Sequence, residues 1–290
     1  MLFPEQTLPL SVEPSTVVAP TGDLFQRRAA RLRQLASSSG AAEWLNWLAV
    51  LADAQHAAMA GLADAGLALP ADFDWQSPLF AGAESGFDAA WADVYDTLRQ
   101  VGPDLPPSRD AAALLPAARA LLAGAATTGQ RTLADVVVAA ALQVVHTHAA
   151  ARLILPKGHL PLADRHACPC CGSAPVGAVV LAEQGKGGLR YLECSLCATR
   201  WNAVRARCTL CDDPGVVAYF GIEDAFPAVR AEACDHCHGY IKLYFQKDDR
   251  QVEPLIDDLA SLAIDVLVGE QGYARGAPNP FLLAGEAVDG

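Results

Sequence analysis

The chain has 290 residues, 52% of them hydrophobic and 19% charged, which excludes a largely disordered protein and leaves room for one large or two modest domains. Its formal net charge of -12 argues against nucleic acid as a main partner, because phosphate recognition needs a basic footprint. The acidic excess lies in the flanks: residues 251–290 carry 1 basic and 7 acidic side chains, whereas residues 161–250 carry 10 and 11.

Residues 1–22 hold prolines and acids with little periodicity and read as an extended arm without the basic start and apolar run of a secretory signal. From Asp23, a plausible N-cap, "LFQRRAARLRQLA" places Leu24, Ala29, Leu32 and Leu35 on one helical stripe, closed by "SSSG". A second helix follows from residue 41, with Trp44, Trp47, Leu48, Leu51, Met59 and Leu62 near helical spacing. "FDAAWADVYDTLRQ" gives a third, stopped by glycine and proline, and the stretches 108–124 and 132–153 give two more. Within the last, "LADVVVAAALQVV" is too short to span a membrane. His146 and His148 fall near its end, where a C-terminal cap is the plainer reading than a site. Residues 23–160 are therefore expected to form a helical domain.

The stretch 155–167, with its prolines and glycine, reads as a linker. Beyond it the pattern turns to short β-like runs, "VGAVVLAE", "LRYLECSLC", "VVAYFGIED" and "YIKLYFQK", with "QGKGG" at 184–188 as a hairpin turn. After Pro254 the helical period returns. Leu255, Ile256, Leu259, Leu262, Ala263, Val266 and Leu267 make one apolar face, and Asp257, Asp258, Ser261 and Asp265 the other.

All nine cysteines lie between residues 168 and 237. Eight form CxxC pairs: Cys168 with Cys171, Cys194 with Cys197, Cys208 with Cys211, and Cys234 with Cys237. Twenty-two residues separate the first pair from the second and the third from the fourth, and 10 separate the two halves. This is one unit written twice. Two intervening residues let both thiolates of a pair face one centre from a tight turn, and two such turns complete a tetrahedral four-sulfur site for zinc or a single iron. A metal replaces the core that so short a unit cannot build. Matched spacing favours first-with-second and third-with-fourth, with a crossed pairing left open. A set of working dithiols is the sharper rival to metal binding.

Gly172 follows the second ligand, where such a turn needs positive φ. Cys170 is the spare thiol of "CPCC", read as a small residue tolerated inside the pair or as a reactive neighbour of a metal. His236 and His238 flank Cys237 and are expected outside the ligand set. Arg200, Arg205 and Arg207 lie between the two units, as a solvated connector, a partner contact or a packing element. Asp212-Asp213 and Asp257-Asp258 read as solvated pairs. No phosphate loop, dinucleotide fingerprint, HExxH or nucleophile elbow is present, so no catalytic set is expected.

"CSLCATRWNAVRARCTLC", "AVRAEACDHCHGYIKLY" and "EPLIDDLASLAIDVLVGEQGYARGAPNPFLL" together resemble the formate dehydrogenase accessory proteins, the FdhE family. The likeness runs from Cys168 to Leu283, with a less diagnostic similarity in the helical half; a cysteine at position 170 departs from the family's usual pattern. The resemblance implies a cytoplasmic, non-catalytic maturation factor that binds the catalytic subunit of a formate dehydrogenase, with rubredoxin-like iron sites at the eight paired cysteines. A redox or sulfur-transfer protein using the same cysteines is the alternative, and a nucleic-acid-binding zinc ribbon the weaker one; a homodimer is left open. The expected fold is α+β: an extended arm (1–22), a helical domain (23–160), two tandem rubredoxin-like or zinc-ribbon modules (161–206 and 207–250), and a C-terminal helix and tail (251–290). Two metal ions, iron or zinc, are the expected cofactors, with no nucleic acid and no membrane insertion.

Overall fold

The computed structural model describes residues 16–37, 39–62, 77–81, 84–125, 131–155, 166–182, 188–203, 207–215 and 217–283. The expectations for most of the N-terminal arm, the linker, Arg205 and the hairpin turn at 184–187 fall outside these residues.

The helical half is built around one buried helix. α1 (Leu24–Ala36) and α2 (Ala42–Gly61) form a pair, followed by α3 (Glu84–Leu98), the short α4 (Ser108–Ala111), α5 (Leu115–Leu122) and α6 (Leu133–Ala151). Every residue from Val136 to Ala150 in α6 is buried, because α2, α3 and α5 pack around this helix and the turn at Ser195 meets it at Gln143. It alone among the described helices is long and apolar enough to cross a membrane, and 83% of that window is buried inside the protein. Its start is fixed by a capping box: the Asp135 amide donates to Thr132 Oγ1 at 3.4 Å, and the Thr132 amide donates to Asp135 Oδ2 at 2.7 Å. Gln55 donates to the Ala140 carbonyl at 2.9 Å and Trp91 to the Val138 carbonyl at 3.2 Å, which ties α2 and α3 to it.

Two expected helices are broken. The stretch 108–124 divides into α4, a 3-10 turn over Ala112–Leu114, and α5, because Pro116 is tolerated only in a first helical turn. The C-terminal helix divides at Ser261 into α7 (Pro254–Ala260) and α8 (Leu262–Glu270). The Lys242 ammonium donates to the carbonyls of Asp258 (3.3 Å) and Ser261 (3.1 Å), so the end of α7 is capped from outside. The break turns α8 relative to α7. Ile264 and Val268 face inward, while Leu262 and Val266, expected on the apolar face, are 42% and 63% exposed.

The other half is a single sheet. Its strands are β1 (Val17–Val18), β2 (Pro175–Val180), β3 (Arg190–Cys194), β4 (Arg200–Asn202), β5 (Val217–Phe220), β6 (Val229–Cys234), β7 (Gly239–Phe245) and β8 (Ala274–Arg275). The order is β1-β4-β3-β2-β7-β6-β5, with β8 pairing β7. Each duplicated unit is an antiparallel three-stranded meander, β2-β3-β4 and then β5-β6-β7. The first strand of one unit pairs in parallel with the last strand of the other, Ala178 opposite Leu243 and Val180 opposite Phe245. The repeat in sequence is thus a repeat in space, and the two modules share one sheet. From the N-terminal arm, Val17 and Val18 add an edge strand against Trp201 and Arg200.

Helices and sheet meet across buried ion pairs that the sequence did not disclose. Arg28 of α1 donates to Glu253 at 2.6 Å and to Glu193 of β3 at 3.3 Å, and Arg200 pairs with Glu193 at 2.7 Å. Arg31 pairs with Asp257 at 2.5 Å and Asp249 at 2.6 Å. Asp257 and Asp258 are 5% and 0% exposed, which corrects their reading as solvated residues. Arg200 is likewise no solvated connector but part of β4.

Burial pushes the Glu253 carboxyl up to about 7, with Arg28 opposing and the neighbouring Glu193 adding. A carboxyl raised in the folded state binds its proton more tightly there than in the unfolded chain. Stability from this group is therefore full below about pH 4.5 and falls as pH rises through 7. The Glu253→Gln variant is expected to lose that decline, worth about 1–3 kcal/mol between pH 5 and 8. Denaturant unfolding of both proteins across this range checks it; parallel curves would remove Glu253 as the source.

Candidate metal centres

The structure brings the first CxxC pair to the second and the third to the fourth. Cys168, Cys171, Cys194 and Cys197 form one group of sulfurs, and Cys208, Cys211, Cys234 and Cys237 the other, each within 4.8 Å of one another. No crossed pairing occurs. All nine cysteines are free thiols, and the S···S separations of 3.4–3.9 Å are far beyond the roughly 2.05 Å of a disulfide. A tetrahedral four-thiolate site with metal–sulfur bonds of about 2.3 Å has sulfurs about 3.8 Å apart. The second group matches at 3.8 and 3.9 Å, and the first is slightly tighter at 3.4 and 3.5 Å.

Each centre is made by two turns with the same backbone logic. In the first, Gly172 N–H bonds the Cys168 carbonyl at 2.8 Å; 40 residues on, Asp212 N–H bonds the Cys208 carbonyl at 3.0 Å. Cys168 N–H reaches the Ser173 carbonyl as Cys208 N–H reaches that of Asp213, both at 2.9 Å. Amides also point at sulfur, as Leu196 and Cys197 do toward Cys194 and Leu210 toward Cys208, at 3.3–3.4 Å. Such donors stabilise thiolate.

The residue after the second cysteine has positive φ in all four turns: Gly172 (+75°), Ala198 (+55°), Asp212 (+59°) and His238 (+52°). Glycine alone takes that conformation without steric cost. Ala198→Gly is therefore expected to stabilise the protein by about 1 kcal/mol, read as a rise in thermal midpoint of roughly 2–4 °C; no rise would mean that the turn is not strained at Ala198.

The donor chemistry fits a cation. Burial pushes the Cys168 and Cys197 thiols well above their ordinary value, so thiolates packed there need a positive charge among them. A soft divalent ion supplies it, and four neutral-to-thiolate conversions per site would release protons on binding. The residues could hold one metal ion in each group. Four thiolates suit zinc and iron alike.

Surroundings distinguish the two groups. Around the first, Leu79 N–H bonds the Pro169 carbonyl and Phe80 N–H that of Cys170, at 3.1 and 2.8 Å. Gln143 of α6 donates to the Ser195 carbonyl at 2.8 Å, and Ser195 Oγ donates to the Leu122 carbonyl at 3.1 Å. Spacing gave no signal for these clasps. Cys170 is 0% exposed and joins the core that includes the first group. His146 is no helix cap. Its Nδ1 bonds the Leu142 carbonyl at 2.8 Å and its ring stacks on Phe87 at 4.3 Å. Burial pushes the imidazole down, with the Cys171 sulfur opposing. His148 sits in the last turn of α6 against Arg152. His236 and His238 are exposed at the second group, outside its four sulfurs, and Arg207 pairs with Asp212 at 2.8 Å.

Comparison with known proteins places three adjoining domains on the chain. Family models match as "FdhE, N-terminal" over residues 13–162, "FdhE, central domain" over 167–205 and "FdhE, C-terminal domain" over 206–282. The chain is 32% identical to the FdhE homolog of Cronobacter sakazakii over 289 residues, covering 91% of this chain and 89% of that one. The FdhE protein of Escherichia coli K12 is also 32% identical, over 287 residues with the same coverage. Among solved structures, the crystal structure of the FdhE protein from Pseudomonas aeruginosa matches with a TM-score of 0.70 and 30% identity, over 93% of this chain and 99% of that chain.

Proposed function

This chain belongs to the FdhE family, and from that premise we propose that it is a cytoplasmic, non-catalytic accessory factor for formate dehydrogenase. In this reading it binds the enzyme's catalytic subunit and supports its maturation. Cys168, Cys171, Cys194 and Cys197 hold one metal ion, and Cys208, Cys211, Cys234 and Cys237 a second, iron or zinc. The observation that carries the reading is the pair of four-sulfur groups set in one shared sheet, which the ion pairs of α1 and α7 lock to the helical half. Bound metal would crosslink the two turns of each group, and so hold the surface a partner would read.

The test joins metal to recognition. Affinity-tagged chain, purified without oxygen, is expected to carry two metal ions and to retain a formate dehydrogenase catalytic subunit from an extract. Replacing all four CxxC pairs by alanine is expected to abolish both. Full retention of the subunit by that variant would end any role of the centres in recognition. A visible spectrum decides the metal, since iron in four sulfurs is coloured and zinc is not.

A further inference from the structure

We propose that the two centres are not equivalent: the second is the exchangeable one, and Cys237 is the ligand that opens first. This rests on the reading that both groups hold metal. The two units share spacing, turn hydrogen bonds and strand order, so a difference in behaviour must come from their surroundings. In the first group Cys168, Cys194 and Cys197 are 1%, 1% and 0% exposed. Both of its turns are clasped by backbone and side-chain bonds from the helical half, through Leu79, Phe80, Leu122 and Gln143. Opening it requires those bonds and the core around them to break, which amounts to unfolding.

In the second group one turn is held, with His166 Nδ1 2.7 Å from the Thr209 carbonyl and Arg190 donating to Thr209 Oγ1, but the other turn has no such cover among the described residues. The whole turn from Asp235 to His238 is exposed, and Cys237 lies within it. This turn is tied to a short C-terminal segment: Tyr273 donates to Asp235 at 2.5 Å, and Ala274 N–H bonds the His238 carbonyl at 2.8 Å. Frayed turns open locally at far smaller cost than core elements. His236 Nδ1 lies 3.8 Å from Asp213 Oδ2, across the two turns, outside the four sulfurs. An incoming chelator would reach a bound ion from this side. The metal–sulfur bond to Cys237 breaks, a metal–donor bond replaces it, and the released thiolate takes a proton from water.

Zinc-loaded full-length protein mixed with excess 4-(2-pyridylazo)resorcinol is expected to release its two equivalents in two phases. The rates should differ by roughly a hundredfold or more, the contrast between local fraying and global opening. Cys237→Ser should abolish the fast equivalent and leave the slow one in place. In parallel, limited iodoacetamide treatment of the loaded wild-type chain, which forms an S–C bond and expels iodide, should label Cys237 before any of Cys168, Cys171, Cys194 or Cys197. Release of two equivalents at one rate, or labelling of Cys168, Cys171, Cys194 or Cys197 before Cys237, would overturn the inference while leaving two metal sites intact. Failure of the reconstituted chain to hold any zinc or iron would instead overturn the metal reading beneath it.

Discussion

Replacing Cys197 by serine is expected to lower the thermal midpoint of the metal-loaded protein by about 10 °C or more. The side chain is 0% exposed, and its sulfur lies 3.5 Å from those of both Cys168 and Cys171. A hydroxyl there keeps the volume nearly unchanged but binds a soft ion poorly, so the change isolates the metal from the packing. Structural zinc contributes roughly 10–16 kcal/mol to small domains, and losing even about 3–5 kcal/mol of that shifts a midpoint by 2–4 °C for each kcal/mol in a chain of this size. The loss should spread, because Ser195, two residues before Cys197, is bonded to both Gln143 of α6 and Leu122 of α5. Circular dichroism should show the helical half melting with the sheet. Cys237→Ser, at the exposed rim, is the comparison and should cost several-fold less. Equal losses in the two variants would show that the helical clasp does not make the first centre the keystone of the fold.

The centres were legible in the sequence to a degree that most of the fold was not. A CxxC pair is a local device: two turns of four residues fix the sulfurs, and equal 22-residue gaps favour the pairing of first with second and third with fourth that the structure adopts. Positive φ at Gly172 was equally readable, since only glycine advertises it; the same conformation at Ala198, Asp212 and His238 carries no such mark. Periodicity gave the helices but reported only where burial recurs, not against what. It therefore continued one apolar face through Ser261, where Lys242 from β7 ends the helix by taking its carbonyls. Asp257 and Asp258 read as a polar face for the same reason. Their cations, Arg31 and Lys242, stand 226 and 16 residues away along the chain, and nothing in a local window reveals them. The parallel join of β2 to β7 was likewise out of reach, because a duplicated unit is compatible with separate beads as well as with one sheet.

Asp258→Ala is expected to destabilise the protein by about 3–5 kcal/mol, because the buried Lys242 and the partly buried Arg275 then share the single carboxylate of Asp265. Asp258 is 0% exposed and Lys242 2% exposed, and they lie 2.8 Å apart. Arg275 reaches both Asp258 oxygens, at 2.8 and 3.1 Å, and Asn279 donates to the same carboxylate at 2.9 Å. Despite burial, which raises it, the carboxyl is held down at about 2 by Lys242 and Arg275. A depressed carboxyl contributes stability that is complete above its unfolded value of 3.8 and is lost as pH falls from there toward 2. Asp258→Asn should accordingly flatten the acid limb of the stability curve below about pH 4, and Asp258→Ala should do the same from a lower plateau. Lys242→Met combined with Asp258→Leu separates the charge from the packing. With both members apolar and Arg275 still on Asp265, the double variant should recover most of the loss, as exchange of buried pairs for hydrophobic residues commonly does. If the double variant unfolds as readily as Asp258→Ala, the carboxylate matters less as Lys242's counter-ion than as the acceptor that binds Arg275 and Asn279 to α7.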